Sequence, residues 1–440
     1  MTEIQNTGIA GRNGVVIQER QGDGSGFRTY EVHQRERVGE STEKIKPVQL
    51  INDQFRLDPY PTLSVLRENY PFYRNWLSNN YWVTRYDDVT SVFVDEANFT
   101  SRTNAWRYGL SHLGRDLSQS LSFLQAEETL TDALAPEVAE YCIKPMVEQG
   151  SANLATDFAA RFAQEMLHEL LAIPTDDREQ FSRRYWTMVR GISWQPKLQE
   201  SGKEAIDALV EYFRPLLVER TETPGQDLVS ALAGIDNICA EDIVATLLER
   251  DHETLHGGLA NLWYLLLAHP GELVKAASDE RLMRLAYLET IRHSPPTLFA
   301  ERYARHEVER FGKLIPTGSL LICSAAAANR DPRIFQDPER FLVDRMDLCQ
   351  REPRGQYRAD GLASGIAFGL GKPTIYPAVP EDRPRSRYAL TRDTVVTASM
   401  KLLQLAPDLI LGDGDGPKLV SLAIGEMRTC WQLPVRFGQR

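Results

Sequence analysis

Cysteine is scarce in this chain: five in 440 residues, at 142, 239, 323, 349 and 430, with no CxxC pair among them. An odd, scattered set cannot all pair, which excludes a secreted disulfide framework and reads as reduced thiols in a cytosolic protein. Long apolar runs are missing too. The longest lies around Leu262–Ala268, far short of the roughly 18–20 residues needed to span a bilayer. No basic start leads into an apolar stretch, so no signal peptide is read. A cytoplasmic protein without membrane association is expected. Positive charge is in deficit, with 50 Lys and Arg against 61 Asp and Glu and a net charge of −11. That balance argues against a nucleic-acid surface, which needs clustered cations. The remainder is ordinary globular composition, 42% apolar and 25% charged, on a chain long enough to bury a core without disulfides or metals.

Residues 1–46 are rich in Gly, Gln, Glu, Arg and Thr, and their apolar residues follow no regular spacing. A flexible or irregular arm is expected there. Residues 47–440 show no interdomain linker and no repeat, so a single large domain is expected. Tyr81–Tyr86 has strand composition, with Asp87-Asp88 expected to cap a short helix after it. Ile243, Leu247, Leu248, Leu255, Leu259, Leu262 and Leu266 recur at spacings of three and four, predicting one long helix from Asp242 to His269, stopped by Pro270-Gly271. Another helix should end near Arg292, before Pro295-Pro296. Short strands follow at Tyr303–Val308 and Leu320–Cys323. The fold class is mainly α with minor β.

Four stretches carry a pattern. Glu289-Thr290-Ile291-Arg292 is an ExxR whose opposite charges share one helix face. Ala327-Ala328-Asn329-Arg330-Asp331-Pro332 is followed by Asp337-Pro338-Glu339-Arg340-Phe341. Asp251-His252-Glu253-Thr254 lies within the long helix, and Phe368-Gly369-Leu370-Gly371 comes later. In this order and spacing they resemble the cytochrome P450 family, closely its bacterial soluble members, over roughly residues 47–440. The resemblance implies a cytochrome P450-like fold. It also implies a buried structural network of Glu289, Arg292 and Arg340 beneath the haem, and a haem-propionate contact from Arg302.

The chemistry departs from that family. Its haem loop, FGxGxHxCxG, here reads Phe368-Gly369-Leu370-Gly371-Lys372-Pro373-Thr374-Ile375-Tyr376-Pro377. Pro373 stands at the histidine position and Ile375 at the cysteine position. A cysteine thiolate pushes electron density onto the iron and favours O–O cleavage, whereas isoleucine has no lone pair to donate. The helix near residue 130, where the family often carries HxxxR, holds Glu127, Glu128 and Asp132 instead, acids that would repel propionates. The small residues of the oxygen groove have become Arg250-Asp251, while the acid-alcohol pair survives as Glu253-Thr254. From Lys372 to Tyr388, Pro373, Pro377, Pro380 and Pro384 predict a stiff surface loop on the side where the family docks its electron donor.

No cofactor is therefore expected, the alternative being haem held by a ligand other than cysteine, such as Tyr376. The resemblance implies a non-catalytic auxiliary or activator protein in natural-product biosynthesis. Its partner would be a protein, such as a glycosyltransferase. The alternative is an atypical enzyme acting on a small hydrophobic substrate, with Glu253 and Thr254 as candidate catalytic groups in a pocket lined by Arg250, Asp251 and Arg302. His252-Glu253-Thr254-Leu255-His256 has the HExxH spacing of zinc sites. On a continuous helix, however, both imidazoles turn about 200° from the face of Arg250, Thr254 and Gly258, so no metal is expected. Gly412–Gly416 reads as a hairpin turn.

Overall fold

The structure, a computed structural model, describes residues 45–95, 97–110, 113–117, 120–193, 195–250, 252–347, 384–385, 387–413, 416–422 and 427–438, with the backbone of 9–10, 16–20 and 29–32. Helices dominate and strands are short. The chain divides into two compact units of interleaved stretches, one within 1–101, 268–380 and 419–429, the other within 102–267, 381–418 and 430–440. Neither is a contiguous stretch of sequence. Within the N-terminal stretch expected to be an arm, Ile9–Ala10 pairs antiparallel with Val16–Arg20, and that strand with Thr29–Val32.

The main elements, in chain order, are α1 (Tyr60–Asn69), β1 (Phe72–Asn75), β2 (Asn80–Val83), α2 (Tyr86–Val94), β3 (Phe99–Thr100), the short α3 (Asn104–Arg107) and α4 (Leu121–Gln149). They continue with α5 (Ala240–Leu248), α6 (His252–Ala268), α7 (Glu280–His293), β4 (Phe299–Ala304), β5 (Leu320–Ser324) and α8 (Arg387–Leu405).

In the first unit the sheet runs β1-β2-β5-β4-β3. Strand β5 lies parallel to β2, with Ile322 opposite Trp82, and antiparallel to β4, with Ile322 opposite Glu301. Trp82 and Phe299 meet edge to face at 4.9 Å, and Phe55 stacks on Phe299 at 6.1 Å. Leu63, Leu66, Leu298 and Ala327 close the cluster. Each such large apolar side chain contributes about 1.5–3 kcal/mol on full burial. The strand expected at Tyr81–Tyr86 stops at Val83, because Arg85 takes the cap position of α2. Asp87 and Asp88 lie in the first turn of α2, where the helix dipole favours negative charge. The strand expected over Tyr303–Val308 is two: β4 ends at Ala304, and Val308–Arg310 forms a separate hairpin strand. Helix α7 starts where the Asp279 side chain accepts from the Leu282 amide at 2.8 Å and ends before the two prolines, as its sequence predicts.

In the second unit α4 packs along α8. It ends at Gly150, whose φ of 79° suits a residue without Cβ and whose amide reaches back to the Met146 and Val147 carbonyls. Helix α6 buries Leu259, Leu262, Trp263 and Leu266, and the Trp263 indole donates to Ser399 of α8 at 3.2 Å. The single helix expected from Asp242 to His269 is interrupted. Helix α5 ends at Leu248 and α6 begins at His252. In a continuous helix the Leu248 carbonyl would accept from the amide of residue 252. The side-chain amide of Asn104 takes that carbonyl at 2.9 Å, and the Arg250 amide folds back to the Leu247 carbonyl at 3.1 Å.

Candidate functional site

Glu289 and Arg292 lie one turn apart on α7 and are fully buried. Arg292 binds the carboxylate with both Nε and Nη2, at 2.7 and 2.8 Å. Its remaining donors reach the carbonyls of Asn329, Pro338 and Arg340. The second cation on Glu289 is not Arg340 but Arg345, at 3.1 Å. The Arg340 side chain is 68% exposed, with Asp337 near it at 3.9 Å. Among the described residues Arg340 enters the network through its carbonyl, which accepts from Arg292 and Arg345. The chain turns after Phe341, so the later arginine points inward.

Arg302 sits on β4, 4% exposed, with its guanidinium 4.5 Å over the Phe93 ring and Nη1 donating to the Glu301 carbonyl. Thr254 is buried on α6. His252 and Glu253 belong to the first turn of α6, and their side chains, like Asp251, fall outside the described residues. Phe368, Gly369, Gly371, Pro373, Ile375 and Tyr376 fall outside them too. His256 is buried and meets the edge of Trp431 at 4.9 Å. Burial lowers its pKa to about 4, leaving it neutral at pH 7. Among the described residues no group of three His, Cys, Asp or Glu side chains could hold a metal.

The second unit contains a cluster that pattern matching did not assemble. Glu127, on the inward face of α4, is 3% exposed. Arg250, from the gap between α5 and α6, donates to one oxygen at 2.5 Å, and Arg387, at the start of α8, to the other at 3.4 Å. Burial alone would raise the Glu127 pKa, but the two guanidiniums outweigh it and hold the carboxyl below its ordinary value. Arg385 donates to Glu128 at 2.6 Å, Asp132 at 2.5 Å and Asp393 at 2.9 Å. The acids on α4, expected to repel an anion, are thus neutralised by arginines drawn from distant sequence. Arg250 lies off the helix, so the face it was expected to share with Thr254 does not form.

Two features bear on a haem. The Nη2 of Arg387 is buried without a partner among the described residues, a donor that fits an anionic group. Residues 350–429 contain no cysteine. Helix α8 opens at Arg387, so the residues just ahead of it include Arg385, not a thiol. Cys142, Cys323 and Cys430 are buried, and burial pushes each thiol up to about 12.

Comparison with known proteins supplies the family. A cytochrome P450 family model matches residues 278–360. The chain is 31% identical to cytochrome P450 107B1 of Saccharopolyspora erythraea over 312 residues, 69% of each chain. It is 27% identical to pulcherriminic acid synthase of Bacillus subtilis over 353 residues, 75% of this chain and 86% of that one. The crystal structure of P450BioI in complex with an acyl carrier protein ligated to hexadec-9Z-enoic acid superposes with a TM-score of 0.71 at 24% identity, covering 88% of this chain and 100% of that one. These matches overturn the expectation of no cofactor, because the family they define binds haem. With a mainly helical fold, a buried ExxR pair and a relative matched over two thirds of both sequences, this chain belongs to the cytochrome P450 family.

Proposed function

We propose that this chain is a P450-family protein of a natural-product biosynthetic pathway that does not perform thiolate-dependent monooxygenation, and that it acts as an auxiliary to another protein of that pathway. The observation that carries this reading is the absence of cysteine from residues 350–429, the stretch that runs from before the Phe368-Gly369-Leu370-Gly371 motif through α8. Haem with a cysteine thiolate supplies an iron made electron-rich enough to cleave dioxygen. Nothing in that stretch of this chain offers the sulfur.

The biosynthetic setting is supported by relatives named for such routes, including pulcherriminic acid synthase and 6-deoxyerythronolide B hydroxylase. A protein partner is supported in kind by the solved complex of P450BioI with an acyl carrier protein. Pull-down from the native host tests the auxiliary role. Recovery of a biosynthetic enzyme whose activity rises on adding this protein supports it. Unaided turnover of a small substrate by the purified protein, with a reductase and dioxygen supplied, contradicts it.

A further inference from the structure

We propose that the segment Asn104–Tyr108 is a pH-sensitive clasp, fastened to the end of α5 and to a neighbouring helical hairpin, whose closure is controlled by the Glu249 carboxyl. Asp242 and Thr246 of α5 and Glu249 just past its end recur at spacings of four and three, a single stripe along the helix. The chain between Asn104 and Leu117 is sewn to that stripe at three points. The Leu117 amide donates to the Thr246 hydroxyl at 3.1 Å. The Arg115 amide and guanidinium reach Asp242 at 2.7 and 2.8 Å. The Ala105 amide donates to Glu249 at 3.2 Å. Gly114 lies so close to α5 that a Cβ there would stand 2.5 Å from the Glu241 carbonyl carbon.

The clasp's pin is Tyr108, which is 2% exposed. Its hydroxyl donates to the Met188 carbonyl, within the hairpin of helices Arg178–Arg190 and Pro196–Glu222. Two glycines make its socket. A Cβ at Gly202 would come 2.8 Å from two carbons of the tyrosine ring, and one at Gly191 would collide with the hydroxyl. Beside the pin, the Gln199 side chain donates to the Arg107 carbonyl at 3.1 Å.

The two ends of the segment answer differently to pH. At Asp242 burial is outweighed by the hydrogen bonds from Arg115, which hold the carboxyl below its ordinary value. That end stays ion-paired at neutral pH. At Glu249 burial prevails and raises the pKa to about 7; the Ala105 amide opposes the rise, Asp116 adds to it, and the Asn104 amide and Arg107 oppose it. Opening returns the carboxyl to water and to an ordinary value of about 4.3. The closed clasp therefore binds the proton more tightly. Its stability from this group is full below about 4.3 and is lost as pH rises through about 7. Above that pH the Asn104–Tyr108 end loosens about the fixed Arg115–Asp242 end. Asn104 then gives up the Leu248 carbonyl, and water reaches the break between α5 and α6.

The test is amide hydrogen exchange of the purified full-length protein from pH 6 to pH 8, each rate divided by the intrinsic rate at that pH. The Ala105 and Tyr108 amides should be less protected than the core of α4, and their exchange should respond little to sub-denaturing urea, the mark of a local opening. Their protection should fall about tenfold between pH 6 and pH 8, through the release of one proton. Glu249→Gln, which keeps an acceptor without the charge, should hold its pH 6 protection at pH 8. Tyr108→Phe removes the hydroxyl without emptying the socket. It should lower protection about fivefold at every pH, the value of one neutral hydrogen bond, with the pH dependence intact. Wild-type protection that ignores pH overturns the clasp, as does exchange of these amides only through global unfolding. So does an unchanged pH dependence in Glu249→Gln, or wild-type protection in Tyr108→Phe.

Discussion

At the residue scale, a buried carboxylate shared by two guanidiniums makes the strongest demand on the chain. Removing one partner of such a pair leaves a buried charge unmatched and costs about 3–5 kcal/mol. Arg345→Met should therefore destabilise the protein by that amount in a denaturant titration, while exposed Arg340→Ala should change it by less than about 0.5 kcal/mol. The reverse order would return Arg340 to the network. Glu249 offers a pH test. Burial raises its pKa to about 7, although the Ala105 amide donates to it at 3.2 Å. A carboxyl raised in the folded state binds its proton more tightly there than when unfolded. Its contribution to stability is full below the unfolded value of about 4.3 and is lost as pH rises through about 7. Glu249→Gln should match the wild type near pH 4 and exceed it at pH 8, read as unfolding midpoints. A gain that does not vary with pH would contradict this.

At the element scale, the Asn104 side-chain amide donates to the Leu248 carbonyl at the end of α5, an acceptor that a continuous helix would use itself. Asn104→Leu should lose about 1 kcal/mol and slow hydrogen exchange at the amide of residue 252 as the helix rejoins. Unchanged exchange there would place the cause of the break elsewhere. This element also shows what the sequence can hold. The periodicity from Ile243 to Leu266 is real and both helices exist, but the side chain that takes the Leu248 carbonyl where they part lies 144 positions away from it. The same limit applies to the sites. Glu289 and Arg292 were legible because a spacing of three puts them on one helix face. Arg345 on Glu289 and Arg387 on Glu127 are joined only by the tertiary fold, across 56 and 260 positions. The acids of α4 therefore read as a lost anion site when viewed alone.

At the scale of the whole molecule, the family was legible from ordered motifs, because ExxR and the stretch after it encode a structural network rather than a reaction. The two-unit arrangement was not, since each unit is assembled from three separated stretches. The family also corrects the expectation about cofactor: Ile375 at the position expected for cysteine bears on which ligand an iron would have, not on whether haem binds. The central claim is that this P450-family chain lacks the thiolate. Its most direct test is the difference spectrum, with and without carbon monoxide, of the reduced protein loaded with haem. The account predicts no band of the thiolate-ligated ferrous carbonyl. A stoichiometric thiolate band would contradict it, and would mean that one of the five cysteines reaches the iron.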